Sequence, residues 1–127
     1  MMNNLTRKSV SLSMKAILNN VYFCQANQIT YTKNPIEAVK GANVVVTDTF
    51  ISMGEEAETL EKLRKFESFQ VNLKMVKEAD KNFIFMHCLP RHKEEVTDDV
   101  IYGEHSVVFD EAENRLHTVA AVLKNLL

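Results

Sequence analysis

Asn43-Val44-Val45-Val46-Thr47-Asp48 is an unbroken β-branched run closed by a carboxylate, the pattern of a strand buried on both faces of a parallel sheet. A second apolar run, Phe83-Ile84-Phe85, leads directly into Met86-His87-Cys88-Leu89-Pro90, so a reactive cluster stands where a buried strand runs out. Open α/β sheets keep their sites in the crevice beyond the carboxyl ends of their strands, where the strand holds the backbone rigid. The same two residues have a plainer reading, with Cys88 a small buried hydrophobe and His87 a hydrogen-bonded core histidine.

Outward from these two runs the chain alternates helix and strand. Asn34-Pro35 is a cap followed by proline at the first helical position, Ile36 and Val39 share a face, and Gly41 supplies a left-handed stop. Further upstream, Val10, Met14, Ile17, Leu18 and Val21 fall at helical spacing, which predicts a helix from about Leu5 to Leu18 capped by Asn3 or Asn4. Val21 to Cys24 reads as a short strand and Ile29 to Thr32 as an extended piece.

Downstream, Glu55, Glu56 and Glu58 precede Lys62, Arg64 and Lys65, a charge order that complements a helix dipole, and Glu58 with Lys62 and Glu61 with Lys65 are spaced for surface pairing. A helical stretch around Val71 to Ala79 leads into the Phe83 strand, and Ser106 to Phe109 reads as another short strand. Asp110 and Glu113 form a capping-box-like pair heading a last helix, with Leu116, Val119, Ala120, Leu123 and Leu127 along one stripe. The expected architecture is α/β, a three-layer parallel sheet flanked by helices on both faces.

At 127 residues the chain fits one domain. Its charged fraction of 25%, hydrophobic fraction of 46% and formal net charge of -2 argue against nucleic acid or an anionic membrane as partner. Two cysteines, Cys24 and Cys88, with no signal-peptide pattern and no bilayer-length apolar run, point to a cytoplasmic, reducing setting. No CxxC or HExxH occurs, and His87, His92, His105 and His117 lack ligand spacing, so a bound metal is not expected.

Three strand ends carry polar residues that folding does not require: Asp48 with Ser52 and Met53, His87 with Cys88, and Glu113 to Arg115. A carboxylate and a hydroxyl suit the ammonium and carboxylate of an amino acid, and a guanidinium suits an oxyanion. Plainer roles exist for each: Asp48 as a loop cap, Ser52 as a turn former, Met53 as core filling, Arg115 as a first-turn surface residue.

Thr47-Asp48-Thr49-Phe50-Ile51-Ser52-Met53-Gly54, His87-Cys88-Leu89-Pro90 and Ala112-Glu113-Asn114-Arg115 resemble, in order, the motifs of the ornithine carbamoyltransferases. Phe69-Gln70-Val71 and Glu94-Glu95-Val96 fit the same pattern. The cysteine of His-Cys-Leu-Pro resembles the ornithine enzymes, where the aspartate enzymes carry proline beside that histidine.

The resemblance implies a Rossmann-like ornithine-binding, C-terminal domain over residues 1 to 127, truncated at its start and open to the loss of its first strand, with the carbamoyl phosphate-binding domain absent. It implies attack of ornithine's δ-amine on carbamoyl phosphate to give citrulline and phosphate, a step of arginine metabolism, with inactivity expected of this chain alone. By motif, Asn4, Asp48, Ser52 and Met53 would hold ornithine's α-amino and carboxylate groups, and His87 would lie behind them. Cys88 would stand beside the δ-amine and carbamoyl group. Leu89 would offer its carbonyl to the carbamoyl nitrogen, and Arg115 would neutralise charge near the carbamoyl oxygen. L-Ornithine and carbamoyl phosphate would be the small-molecule partners, and the resemblance implies no cofactor. Full-length members of the family are trimers, and the oligomeric state of this chain stays open. An amino-acid-binding module working with a separate chain, and a degenerate remnant without activity, are the alternative readings.

Overall fold

The computed structural model describes residues 9–11, 30–51 and 59–127. Along them run β1 (Ser9–Ser11), α1 (Pro35–Val39), β2 (Val44–Thr47), α2 (Thr59–Phe66), a 3-10 turn (Glu67–Phe69), α3 (Leu73–Val76), β3 (Ile84–His87), α4 (Asp98–Ile101) and α5 (Val108–Leu126). The three strands form one parallel sheet in the order β1-β2-β3, with helices packed on it, an α/β fold.

The turn into β2 forms as its sequence dictates. Asn34 Oδ1 accepts from the Ile36 and Glu37 amides, Pro35 opens α1, and Gly41 takes φ +65°, the left-handed conformation that glycine adopts without a Cβ penalty. There the Gly41 N–H donates to the Glu78 carbonyl at 2.7 Å, and the Asp80 N–H donates to the Ala42 carbonyl at 2.9 Å. These bonds lay the end of α1 beside the loop that enters β3, so both strands start from one tied corner.

From that corner the register runs Val44 opposite Ile84, Val45 opposite Phe85, Val46 opposite Met86 and Thr47 opposite His87. Side chains alternate along strands, so Val45, Thr47, Phe85 and His87 lie on the buried face. They meet Val39, Val71, Met75, Val96, Val100, Ile101 and Val108 in the core. The other face is less covered than an unbroken valine run predicts: Val44 and Val46 are half-buried and Ile84 is exposed. A β-branched run reports strand propensity more reliably than two-sided burial.

Several sequence expectations are corrected. Of the helix expected over Leu5 to Leu18, the described part, Ser9–Ser11, is a strand paired with Val44 to Val46 instead. Backbone pairing against β2 overrides helical spacing there. The rest of that segment, the Val21 to Cys24 strand and Glu58 lie outside the described residues, as do the side chains of Glu61 and Lys62, and with them the expected Glu58–Lys62 and Glu61–Lys65 pairs. Residues 30–32 belong to no strand.

The Ser106 to Phe109 strand shrinks to one bridge, Ser106 opposite Phe85, after which Val108 already begins α5. Asp110 and Glu111 therefore sit inside the first turn, complementing the dipole, and no side chain caps the helix. The Val71 to Ala79 helix is regular only over Leu73–Val76, capped by Asn72, because Val71 bridges to Val96 instead. The stripe on α5 exists, but from Ala112 to the end it is exposed.

Candidate functional site

Because Thr47 faces His87 in the register, the next residues along β2 and β3, Asp48 and Cys88, come side by side on leaving the sheet. Cys88 Sγ donates to Asp48 Oδ1 at 2.9 Å. The Thr49 N–H donates to the same oxygen at 2.7 Å, and the Thr49 side chain also supports the carboxylate. A half-buried carboxylate with one oxygen fixed by two donors is suited to an incoming ammonium group.

The two side chains shift each other's protonation. The Cys88 hydrogen bond holds the Asp48 carboxyl below its usual range, against the opposing effect of burial and with help from the Thr49 amide. Partial burial, and then the Asp48 carboxylate, push the Cys88 thiol up to about 11. At neutral pH Cys88 is therefore a protonated thiol, a neutral hydrogen-bonding group and a poor nucleophile. It is exposed, so its plainer reading as a buried hydrophobe does not hold.

For His87 the plainer reading does hold. The ring is buried at 1% exposure, its Nε2 lies 3.0 Å from Glu95 Oε2, and its Nδ1 accepts from the Leu89 N–H at 3.0 Å. The His87 N–H donates to Glu111 Oε2 at 3.0 Å, which pins the first turn of α5 to the end of β3. Leu89 takes φ 44°, a left-handed conformation that costs a non-glycine residue ~1–3 kcal/mol and recurs at functional sites.

Asp48, His87, Cys88 and Leu89 are thus brought together as the sequence predicts. Arg115 lies on α5 one turn beyond Glu111, at the spacing that puts two side chains on one helix face, and it is exposed. Asn4, Ser52 and Met53 lie outside the described residues.

Two carboxylates that sequence reasoning gave no role, Glu95 and Glu111, close onto this cluster. Glu95 is buried at 1% exposure and its oxygens also accept from the Phe50 and His92 backbone amides and from His92 Nδ1. Burial opposes its charge, yet the hydrogen bonds from His87 and His92 prevail and hold its carboxyl below the usual range. The available signal was slight: Glu95 stands three residues after His92, but Glu94 beside it looks identical in sequence and is exposed.

Among the described residues no group of three His, Cys, Asp or Glu side chains converges as metal ligands would, and no helix is long and apolar enough to cross a membrane. A cavity of about 520 Å3, lined in part by Leu73, Phe83, Val100 and His105, opens at the opposite end of β3 and shares no residue with the Asp48–Cys88 cluster.

The family described as aspartate/ornithine carbamoyltransferase, Asp/Orn binding domain, matches residues 6–126. The chain is 57% identical over 101 residues to the ornithine carbamoyltransferase of Carboxydothermus hydrogenoformans, covering 79% of this chain and 32% of that protein. It is 55% identical over 92 residues to the Saccharomyces cerevisiae ornithine carbamoyltransferase, covering 72% and 27%. Among solved structures, the anabolic ornithine carbamoyltransferase of Campylobacter jejuni superposes with a TM-score of 0.73 at 40% identity, over 78% of this chain and 33% of that one. The Pyrococcus furiosus ornithine carbamoyltransferase gives a TM-score of 0.66 at 56% identity, over 71% and 29%. The chain therefore spans about a third of the length of these relatives.

Proposed function

Since the chain belongs to the aspartate/ornithine carbamoyltransferase family, Asp/Orn-binding domain, we propose that it forms the ornithine side of a carbamoyl transfer from carbamoyl phosphate to L-ornithine. Residues 1 to 127 act in this reading as one ornithine-binding domain. The observation that carries it is the Cys88 Sγ to Asp48 Oδ1 contact at 2.9 Å, which joins two strand ends into one polar site.

In the reaction, the neutral δ-amine forms a bond to the carbonyl carbon, the carbon–oxygen bond to phosphate breaks, and the amine loses a proton, leaving citrulline and phosphate. Asp48 Oδ2 accepts from an ammonium of ornithine. Cys88, held as a thiol, lies beside the reacting amine without competing for the carbamoyl carbon. Leu89 offers its carbonyl to the carbamoyl nitrogen, and Arg115 approaches the developing oxyanion from α5. These groups act by placing and solvating the reactants. Asn4, Ser52 and Met53 complete the ornithine contacts by motif. The groups that grip the phosphate come from outside these 127 residues, so the chain alone binds ornithine without turning it over. A reducing cytoplasm suits the exposed thiol of Cys88.

Calorimetry with L-ornithine on the purified chain tests the site. Asp48→Ala should weaken binding by about 1.5–3 kcal/mol, the scale of a charge-assisted hydrogen bond; unchanged affinity rejects the role of Asp48. Citrulline made by the pure chain from ornithine and carbamoyl phosphate would overturn the need for outside groups.

A further inference from the structure

Glu95 is held from behind by the core. Its carbonyl accepts from the Val71 N–H at 2.9 Å and the Thr97 N–H donates to the Val71 carbonyl at 3.0 Å, flanking the Val71 to Val96 bridge between two fully buried valines. From that anchor the carboxylate reaches both strand ends. Oε1 accepts from the Phe50 N–H at 3.2 Å and from His92 Nδ1 at 3.1 Å; Oε2 accepts from the His92 N–H at 2.8 Å and from His87 Nε2 at 3.0 Å. Phe50 lies two residues beyond Asp48 and His87 one before Cys88, so a single carboxylate braces the two segments that carry the site.

The bonds also fix a proton. Leu89 can only donate through its N–H, so His87 Nδ1 must carry a lone pair, and the ring proton resides on Nε2, aimed at Glu95. Glutamine could not reproduce the arrangement, because its amide has one acceptor oxygen and would turn an NH2 group toward donors. The ionised state needed for this is the one that the surrounding donors favour.

We infer that Glu95 is a positioning residue of this site: it locks His87 as the Nε2–H tautomer, leaving Nδ1 to hold Leu89 in its left-handed conformation and Cys88 in line with Asp48. The consequence for ornithine rests on the function proposed above; the consequence for His87 and Leu89 does not.

The test is NMR on the isotopically labelled full chain, with ornithine titrations alongside. In the wild type, long-range nitrogen–proton spectra at neutral pH should show His87 as the Nε2–H tautomer; an Nδ1–H or averaging ring overturns the inference without any variant. In Glu95→Gln the tautomer should become mixed, the Leu89 amide resonance should move, and ornithine Kd should rise about tenfold, the equivalent of ~1.4 kcal/mol. A folded Glu95→Gln with the wild-type tautomer and Leu89 resonance overturns the inference. If the variant does not fold, the wild-type tautomer decides. If wild type binds no ornithine, the functional proposal fails, while the ring and amide resonances still judge Glu95.

Discussion

At the carboxyl ends of β2 and β3, buried polar groups meet partners and the core stands behind them: Glu95 takes four donors and His87 uses both ring nitrogens. Along α5 the arrangement is reversed. Val108 is buried, but Leu116 is 71% exposed and Leu126 77%, with Val119 and Leu123 also exposed between them. One region spends its hydrogen bonds on holding a few side chains in place; the other presents an apolar stripe with nothing from the described residues covering it. The contrast separates two things that a hydrophobic pattern conveys together, the geometry of an element and the identity of what it packs against.

The largest effect should come from the core behind the strand ends. Phe85 is fully buried, pairs with Val45 in β2 and exchanges hydrogen bonds with His105 and Val107. Phe85→Ala should cost about 3–5 kcal/mol, the usual result of emptying an aromatic site in a packed core. Urea unfolding followed by circular dichroism measures it; a loss below 1 kcal/mol, about the level of a surface change, would mean that the sheet is not the stable half.

Acid should attack the same region next. The folded-state pKa of Glu95 lies below its ordinary 4.5, so its ionised form contributes stability above that value, and the contribution is lost as pH falls through the depressed one. Glu95→Gln should cost about 1–3 kcal/mol at pH 7 and flatten the acid slope, since it leaves buried donors without an acceptor. Parallel unfolding midpoints for wild type and variant between pH 7 and about pH 3 would contradict the depressed pKa.

A smaller effect concerns the exposed edge of the cluster. With its thiol near 11, Cys88 should resist alkylation at pH 8, followed by peptide mass spectrometry to distinguish it from Cys24. Asp48→Ala removes the hydrogen bond and the negative charge but not the burial, so the rate should rise by about tenfold, one pKa unit. A wild-type rate with a midpoint near 8.5 would show that the two side chains do not touch in solution.

The legible parts of the sequence were those where local chemistry leaves one outcome. Asn34-Pro35 and Gly41 specify a cap, a start and a stop, and the structure forms all of them. Val44 to Thr47 and the run into His87 specify strands, and parallel strands in register bring Asp48 to Cys88. The candidate site was legible because it lies where such strands end. Glu95 was not, because its role depends on a bridge between Val71 and Val96 that no spacing announces. Ser9–Ser11 was misread because its strand exists only through pairing with β2. Ser106 to Phe109 was misread because β-branched residues also begin a helix when the acidic residues after them favour its first turn.

The stripe on α5 gives the smallest expected effect and the sharpest check on the contrast. Leu116, Val119, Leu123 and Leu126 recur at alternating intervals of three and four, as on a helix that packs along its length. Yet among the described residues the helix is fastened at its start alone, by buried Val108, by the Val107 N–H on the Phe85 carbonyl at 3.0 Å and by Glu111 on the His87 N–H at 3.0 Å. Leu116→Ser and Leu123→Ser should therefore each change unfolding free energy by no more than about 0.5 kcal/mol, as for surface sites, and leave the Glu111 and His87 resonances where they were. If either variant instead loses 2–5 kcal/mol, about the cost of removing a leucine from a packed core, that side chain is covered in solution. The strand ends and α5 would then no longer stand as opposites, because both would draw their order from burial.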